Sequence, residues 1–223
     1  METLQKLFLY IHIAAGFTAL TVGIVPMIAR KGSRLHVSTG RIFVWAMYLV
    51  AATAVLIFFL KPYRPFLLYL AFIGVFSFYL TYSGVRSVQG KADFQATVGD
   101  WLAAGIALRA GLVMLGLSLW NFTNSQTFLG ILYAVFGGFI TVIAFRDVQK
   151  FRKKVTSDKM AWFFLHISRI VGAYIATFTA FCVVNADRVA FIHPLVVWVA
   201  PGLIGGIGIA RWITYHRRKM KLV

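Results

Sequence analysis

The chain has 223 residues, of which 60% are hydrophobic and only 13% charged, and its mean hydropathy is +0.80. Soluble domains carry roughly 25% charged and about 45–50% apolar residues, so a water-exposed globule is excluded and an integral membrane protein is implied. The charge is lopsided: 23 Lys and Arg stand against 6 Asp and Glu, a formal net charge of +17. In a soluble protein that excess would suggest nucleic acid; here its meaning depends on where the charges lie.

A bilayer core takes about 20 apolar residues per helix. Measured that way, the sequence predicts seven spans, at 7–29, 37–60, 66–86, 98–120, 127–146, 160–184 and 193–213. The first apolar run is too long for a cleaved signal peptide and reads as an uncleaved first helix. Arg30-Lys31-Gly32-Ser33-Arg34 ends it, and Lys61-Pro62-Tyr63-Arg64-Pro65 separates the second span from the third. Gly90 to Asp93, Asn121 to Ser125, the basic run Lys150 to Lys154, and Ala186 to Arg188 mark the remaining breaks. No connection is long enough for a soluble domain. The expected fold is therefore all-α, a single transmembrane domain over 1–223 built as a polytopic bundle of seven helices. Pro26 and Pro201 are expected to kink the first and last helices, and Gly202 and Gly206 to support tight packing of the last.

Seventeen of the basic residues fall on one side of such a bundle: Arg30, Lys31, Arg34, Arg41, Arg86, Lys91, Arg146, Lys150, Arg152, Lys153, Lys154, Lys159, Arg211, Arg217, Arg218, Lys219 and Lys221. Lys6, Lys61, Arg64 and Arg188 fall on the other. The positive-inside rule then places the N-terminus outside and the C-terminus in the cytoplasm. The charge is an address and an attraction to anionic lipids at the cytoplasmic face; nucleic acid is not required.

Two arginines remain, Arg109 and Arg169, both within spans. Ionisable groups in the membrane are costly and point to function. Arg109 shares a helical stripe with Gly105 and Gly116, Arg169 with Ala173, Ala176 and Ala180, and His12 with Gly16, Ala19, Gly23 and Pro26. Small residues allow helices to approach, so all three side chains are expected to face the bundle interior. The arginines then suggest a bound anion, in a transporter or channel for small anions, or satisfaction by carbonyls, hydroxyls and water.

The histidines suggest a redox cofactor. His12 to Gly16 and His36 to Gly40 both read His-x-x-x-Gly, and a glycine one turn from a ligand histidine leaves room for a flat macrocycle. The orientation puts His36 and His166 near the inner face and His12 and His193 near the outer, one pair per leaflet for haem b. No helix carries two histidines a dozen residues apart, as di-haem membrane cytochromes usually do. A metal-dependent hydrolase would require His36, Asp100 and His166 to converge, and no paired-histidine motif supports a metal site. Retinal is disfavoured because the last span has no lysine. Cys182 is the sole cysteine, so neither an intrachain disulfide nor a thiolate cluster is possible.

The run His12-x3-Gly16-x2-Ala19-Leu20-x2-Gly23, Arg30-Lys31-Gly32 and His36-x3-Gly40-Arg41, with His166-Ile167-Ser168-Arg169, Gly172-Ala173-Tyr174 and Ala180-Phe181 to Asn185, resembles bacterial multi-pass membrane proteins of domain-of-unknown-function family 2306. The resemblance implies a bacterial inner-membrane bundle of unassigned activity and singles out His12, His36, Gly40, Arg41, His166, Arg169 and Asn185. The expectation is a haem-b-binding electron-transfer protein using His12, His36, His166 and His193 with Gly16 and Gly40. The alternatives are the anion pathway and an accessory subunit. A homo-oligomer or a membrane redox partner would complete it, and whether it is an enzyme stays open.

Overall fold

The fold was described from a computed structural model of the chain, covering residues 2–90, 94–153, 160–186 and 193–220. Among these there is no strand. The helices are α1 (Glu2–Val22), α2 (Ile24–Ile28), α3 (Arg34–Leu60), α4 (Pro65–Gly90), α5 (Val98–Thr123), α6 (Thr127–Lys153), α7 (Ala161–Val184) and α8 (Pro194–Lys219). With α1 and α2 taken as one, seven are long and apolar enough to cross a membrane, in the places the apolar runs predict. This is a polytopic α-helical membrane protein.

The helices differ from the apolar runs mainly at the ends that carry basic residues. α4 continues to Gly90, α6 to Lys153 and α8 to Lys219, extending into sequence too polar to belong to a hydrocarbon span. Cations at a helix C-terminus favour the partial negative charge there, and long basic side chains reach toward water. Lys91, Asp93, Lys154, Lys159, Asp187, Arg188 and Lys221 lie outside the described residues.

The proline expected to kink the first span interrupts it. Pro26 has no N–H to give to the Val22 carbonyl, and α1 ends at Val22 before α2 resumes at Ile24. α8 runs through Pro201. The turn into α3 uses Gly32 at φ 78°, a left-handed conformation that costs glycine nothing, and Ser33 Oγ then caps α3 by accepting from the His36 N–H.

Contacts divide the chain into two compact units, Met1–Thr81 with Gln95–Val155, and Tyr82–Phe94 with Thr156–Val223. In the first, α1 and α3 run antiparallel. The Gln5 side chain donates to the Leu60 carbonyl, His12 meets Thr53 and Gly16 faces Val50. α5 and α6 pair antiparallel through small residues: Ala103, Ala104, Ala107 and Ala110 are buried, and Gly111 lies against Ile140 and Thr141. α4 packs alongside α6 in the same direction, with Tyr69 on Tyr133, Phe76 on Phe136 and Tyr79 on Asp147. Alternating passes through a bilayer require this parallel pairing of the third and fifth spans.

In the second unit α7 and α8 pair antiparallel, with Phe163 against Trp212 and Gly205 against Ile175. The end of α4 meets α7 at Gly84, where a Cβ would lie 2.9 Å from Ile170 and 3.0 Å from the Arg169 Cβ. Gly202, Gly206 and Gly208 have nothing within 4 Å. The tight packing expected at Gly202 and Gly206 thus falls on Gly205 within the chain.

Candidate functional site

Three histidines in or beside the spans share one local chemistry. His12 Nδ1 lies 2.9 Å from Thr53 Oγ1. The Thr53 hydroxyl already donates to the Leu49 carbonyl at 2.6 Å, so its oxygen must accept and His12 Nδ1 must carry the proton. His36 Nδ1 lies 2.9 Å from the Pro26 carbonyl, and His166 Nδ1 lies 2.9 Å from the Gly84 carbonyl. Carbonyls only accept, so each neutral ring donates through Nδ1 and keeps its lone pair on Nε2.

These bonds join different elements and fix each ring against a neighbouring helix. His216 makes the same kind of bond to the Trp212 carbonyl, but within its own helix. The Pro26 carbonyl is available because the helix stops two residues later; it also accepts from Lys31 Nζ at 2.9 Å, and the Met27 carbonyl accepts from the same ammonium at 2.6 Å. Lys31 thereby closes the C-terminus of α2, and partial burial there lowers its pKa.

His193 has the opposite chemistry. It is the N-cap of α8, where Nδ1 accepts from the Leu195 N–H at 3.2 Å. Its neutral ring therefore carries its proton on Nε2 and has no spare lone pair. Capping the helix and ligating a metal through Nδ1 compete for the same nitrogen of His193.

The glycines expected to form macrocycle slots face neighbouring chain. A Cβ on Gly16 would meet Val50 Cγ2 at 3.9 Å, and one on Gly40 would meet Pro26 Cβ at 4.0 Å, both ordinary contacts. They lie where α1 meets α3 and α3 meets α2. Within this unit His12 and His36 are far apart: α3 carries His36 and, beside His12, Thr53, and seventeen residues of helix rise about 25 Å.

The arginines separate. Arg169 is buried on α7 beside the Gly84 crossing, as the small-residue stripe predicts. Arg109 is exposed. α5 carries small residues on two faces, and the face packed on α6 is the alanine-rich one, leaving Gly105, Arg109 and Gly116 outward. The inward orientation expected of Arg109 from its Gly105 and Gly116 stripe is therefore corrected.

Asp100 caps α5. Its carboxylate accepts from the Thr97 N–H and Oγ, each at 2.8 Å, and Thr97 Oγ accepts from the Asp100 N–H. Among the described residues no group of three or more His, Cys, Asp or Glu could hold a metal ion. Asn185 bonds to the Phe181 carbonyl at the end of α7, and Arg41 is exposed.

A pair that the sequence did not reveal lies between α4 and α6. Tyr79 Oη donates to Asp147 Oδ2 at 2.6 Å, and both side chains are buried. Asp147 lies in the extension of α6 beyond the apolar run, where composition alone reads a loop.

No protein-family profile, curated protein or solved structure matches this chain.

Proposed function

We propose that this protein is a membrane redox protein that holds haem b through histidine Nε2 atoms, its ligands drawn from His12, His36 and His166. One observation carries the reading: each of these histidines donates Nδ1–H to an oxygen on another element and presents Nε2 as its lone pair. Ligand histidines in metal sites nearly always donate their second nitrogen in this way, which fixes the tautomer and raises the basicity of the ligating atom. The chain's own task is to hold the ring plane and tautomer; the haem, when bound, supplies the one-electron couple. The separation of His12 and His36 by about 25 Å along α3 suits transfer of electrons across the membrane.

The same reading takes the membrane to be a bacterial inner membrane, with the C-terminus in the cytoplasm and anionic lipid against the basic ends of α4, α6 and α8. The test is the absorbance spectrum of the full-length protein, expressed with ample haem and purified in mild detergent. A Soret band that stays with the protein through size exclusion is expected. A colourless, folded protein that takes up no added haemin would overturn the reading.

A further inference from the structure

We propose that the outward face of α5 around Arg109 docks a transmembrane helix of a different protein, one that brings an ionised carboxylate to the bilayer midplane. This is independent of the haem reading.

The position of the charge comes first. Arg109 lies eleven residues after the first residue of α5 and fourteen before the last, which is about 16 and 21 Å of helix rise. Trp101 and Trp120 are exposed toward the two ends of α5, where aromatic residues mark the membrane–water interfaces. Arg109 is eight residues, about 12 Å, from the nearer of them. Side chains on a helix lean toward its N-terminus, which for Arg109 is the Trp101 side. Five side-chain bonds of about 1.5 Å carry the guanidinium roughly 6 Å, about half the distance to that interface. A lipid phosphate is beyond its reach in an unthinned bilayer.

Its surroundings come next. Arg109 has no hydrogen bond or ion pair among the described residues. Its neighbours on the face, Leu102, Ile106, Leu112 and Val113, are exposed and apolar, and Gly105 and Gly116, on either side of it, have nothing within 4 Å. The surface thus has one unmet charge at the centre and room for a backbone to approach on both sides, which is how helices associate in lipid.

A second copy does not supply the missing partner. The carboxylates in or next to the spans of the described chain, Asp100 and Asp147, lie toward helix ends, are buried and already accept hydrogen bonds, and a two-fold contact through this face would bring two guanidiniums together. Charge complementarity instead calls for a helix from another protein with an Asp or Glu at mid-span.

The test uses labelled full-length protein in phosphatidylcholine vesicles and synthetic leucine–alanine helices of roughly 22 residues with Asp, Asn or Leu at the centre, read by energy transfer. The Asp peptide should associate at least about tenfold more tightly than the Asn or Leu peptide. Arg109→Leu should abolish that preference, and Arg109→Lys should retain part of it. Since the side chain is exposed, circular dichroism and the melting temperature of Arg109→Leu should match the parent; were that variant to misfold, the three-peptide comparison on the parent still decides. Equal binding of all three peptides, or a preference that survives in Arg109→Leu, would overturn the proposal. So would loss of the preference on adding phosphatidylglycerol, which would assign the charge to lipid phosphate, or Arg109-dependent energy transfer between copies of the chain itself.

Discussion

The chemistry of single residues here is decided by which atom is already committed. Five histidines look alike in sequence, but the partner of Nδ1 separates His12, His36 and His166 from His193. The direction of those bonds was not legible beforehand, because it depends on a carbonyl freed by Pro26, another at Gly84 and a hydroxyl on α3. The capping role of His193 did leave a signal, since Pro194 follows it at the first helical position, where proline starts helices. At this scale Thr53→Val should weaken haem retention about 10–100-fold by removing the acceptor that orients His12, measured by haem loss to apomyoglobin. Tyr79→Phe should lower stability by about 1.5–3 kcal/mol, since a buried carboxylate loses its donor, whereas Asp147→Asn retains an acceptor for Tyr79; thermal unfolding in detergent separates the two.

At the scale of elements, the seven spans were legible because hydrocarbon thickness demands long apolar runs and nothing else in the chain competes with them. Which face of each helix packs was legible only where one face carries the small residues. On α7 the Arg169–Ala173 stripe points inward as expected, because Ala173 and Arg169 are both buried. On α5 small residues occur on both faces, and the denser alanine stripe won the contact with α6. The pairing of Asp147 with Tyr79 was not legible for a different reason: basic residues prolong α6 past its apolar segment, so a position at the edge of the span is packed helix. Glycine substitutions test this assignment of faces. Gly111→Ala places a Cβ 2.3 Å from Thr141 Oγ1 and 2.9 Å from its backbone nitrogen, and should destabilise by about 1–3 kcal/mol as overpacking does. Gly105→Ala meets nothing and should be neutral or gain up to roughly 1 kcal/mol from helix propensity.

For the whole molecule, the proposed orientation assigns most of the net charge of +17 to the cytoplasmic face. Within the first unit the parallel packing of α4 on α6 and the antiparallel pairs α1–α3 and α5–α6 fit alternating passes, and within the second so does the antiparallel pair α7–α8. A fluorescent protein that matures only in the cytoplasm should light up when fused after Val223 and stay dark when fused before Met1; the reverse pattern would contradict the orientation. The central claim is that pinned histidines, and not the capping one, present ligating nitrogens to haem. Its most direct measurement is the reduced-minus-oxidised absorbance spectrum of the parent beside His12→Ala, His36→Ala, His166→Ala and His193→Ala. The expected result is a b-type spectrum in the parent, weakened or shifted by at least one of the first three changes and untouched by His193→Ala. A spectrum lost only with His193→Ala, or absent from the folded parent supplied with haem, would contradict it.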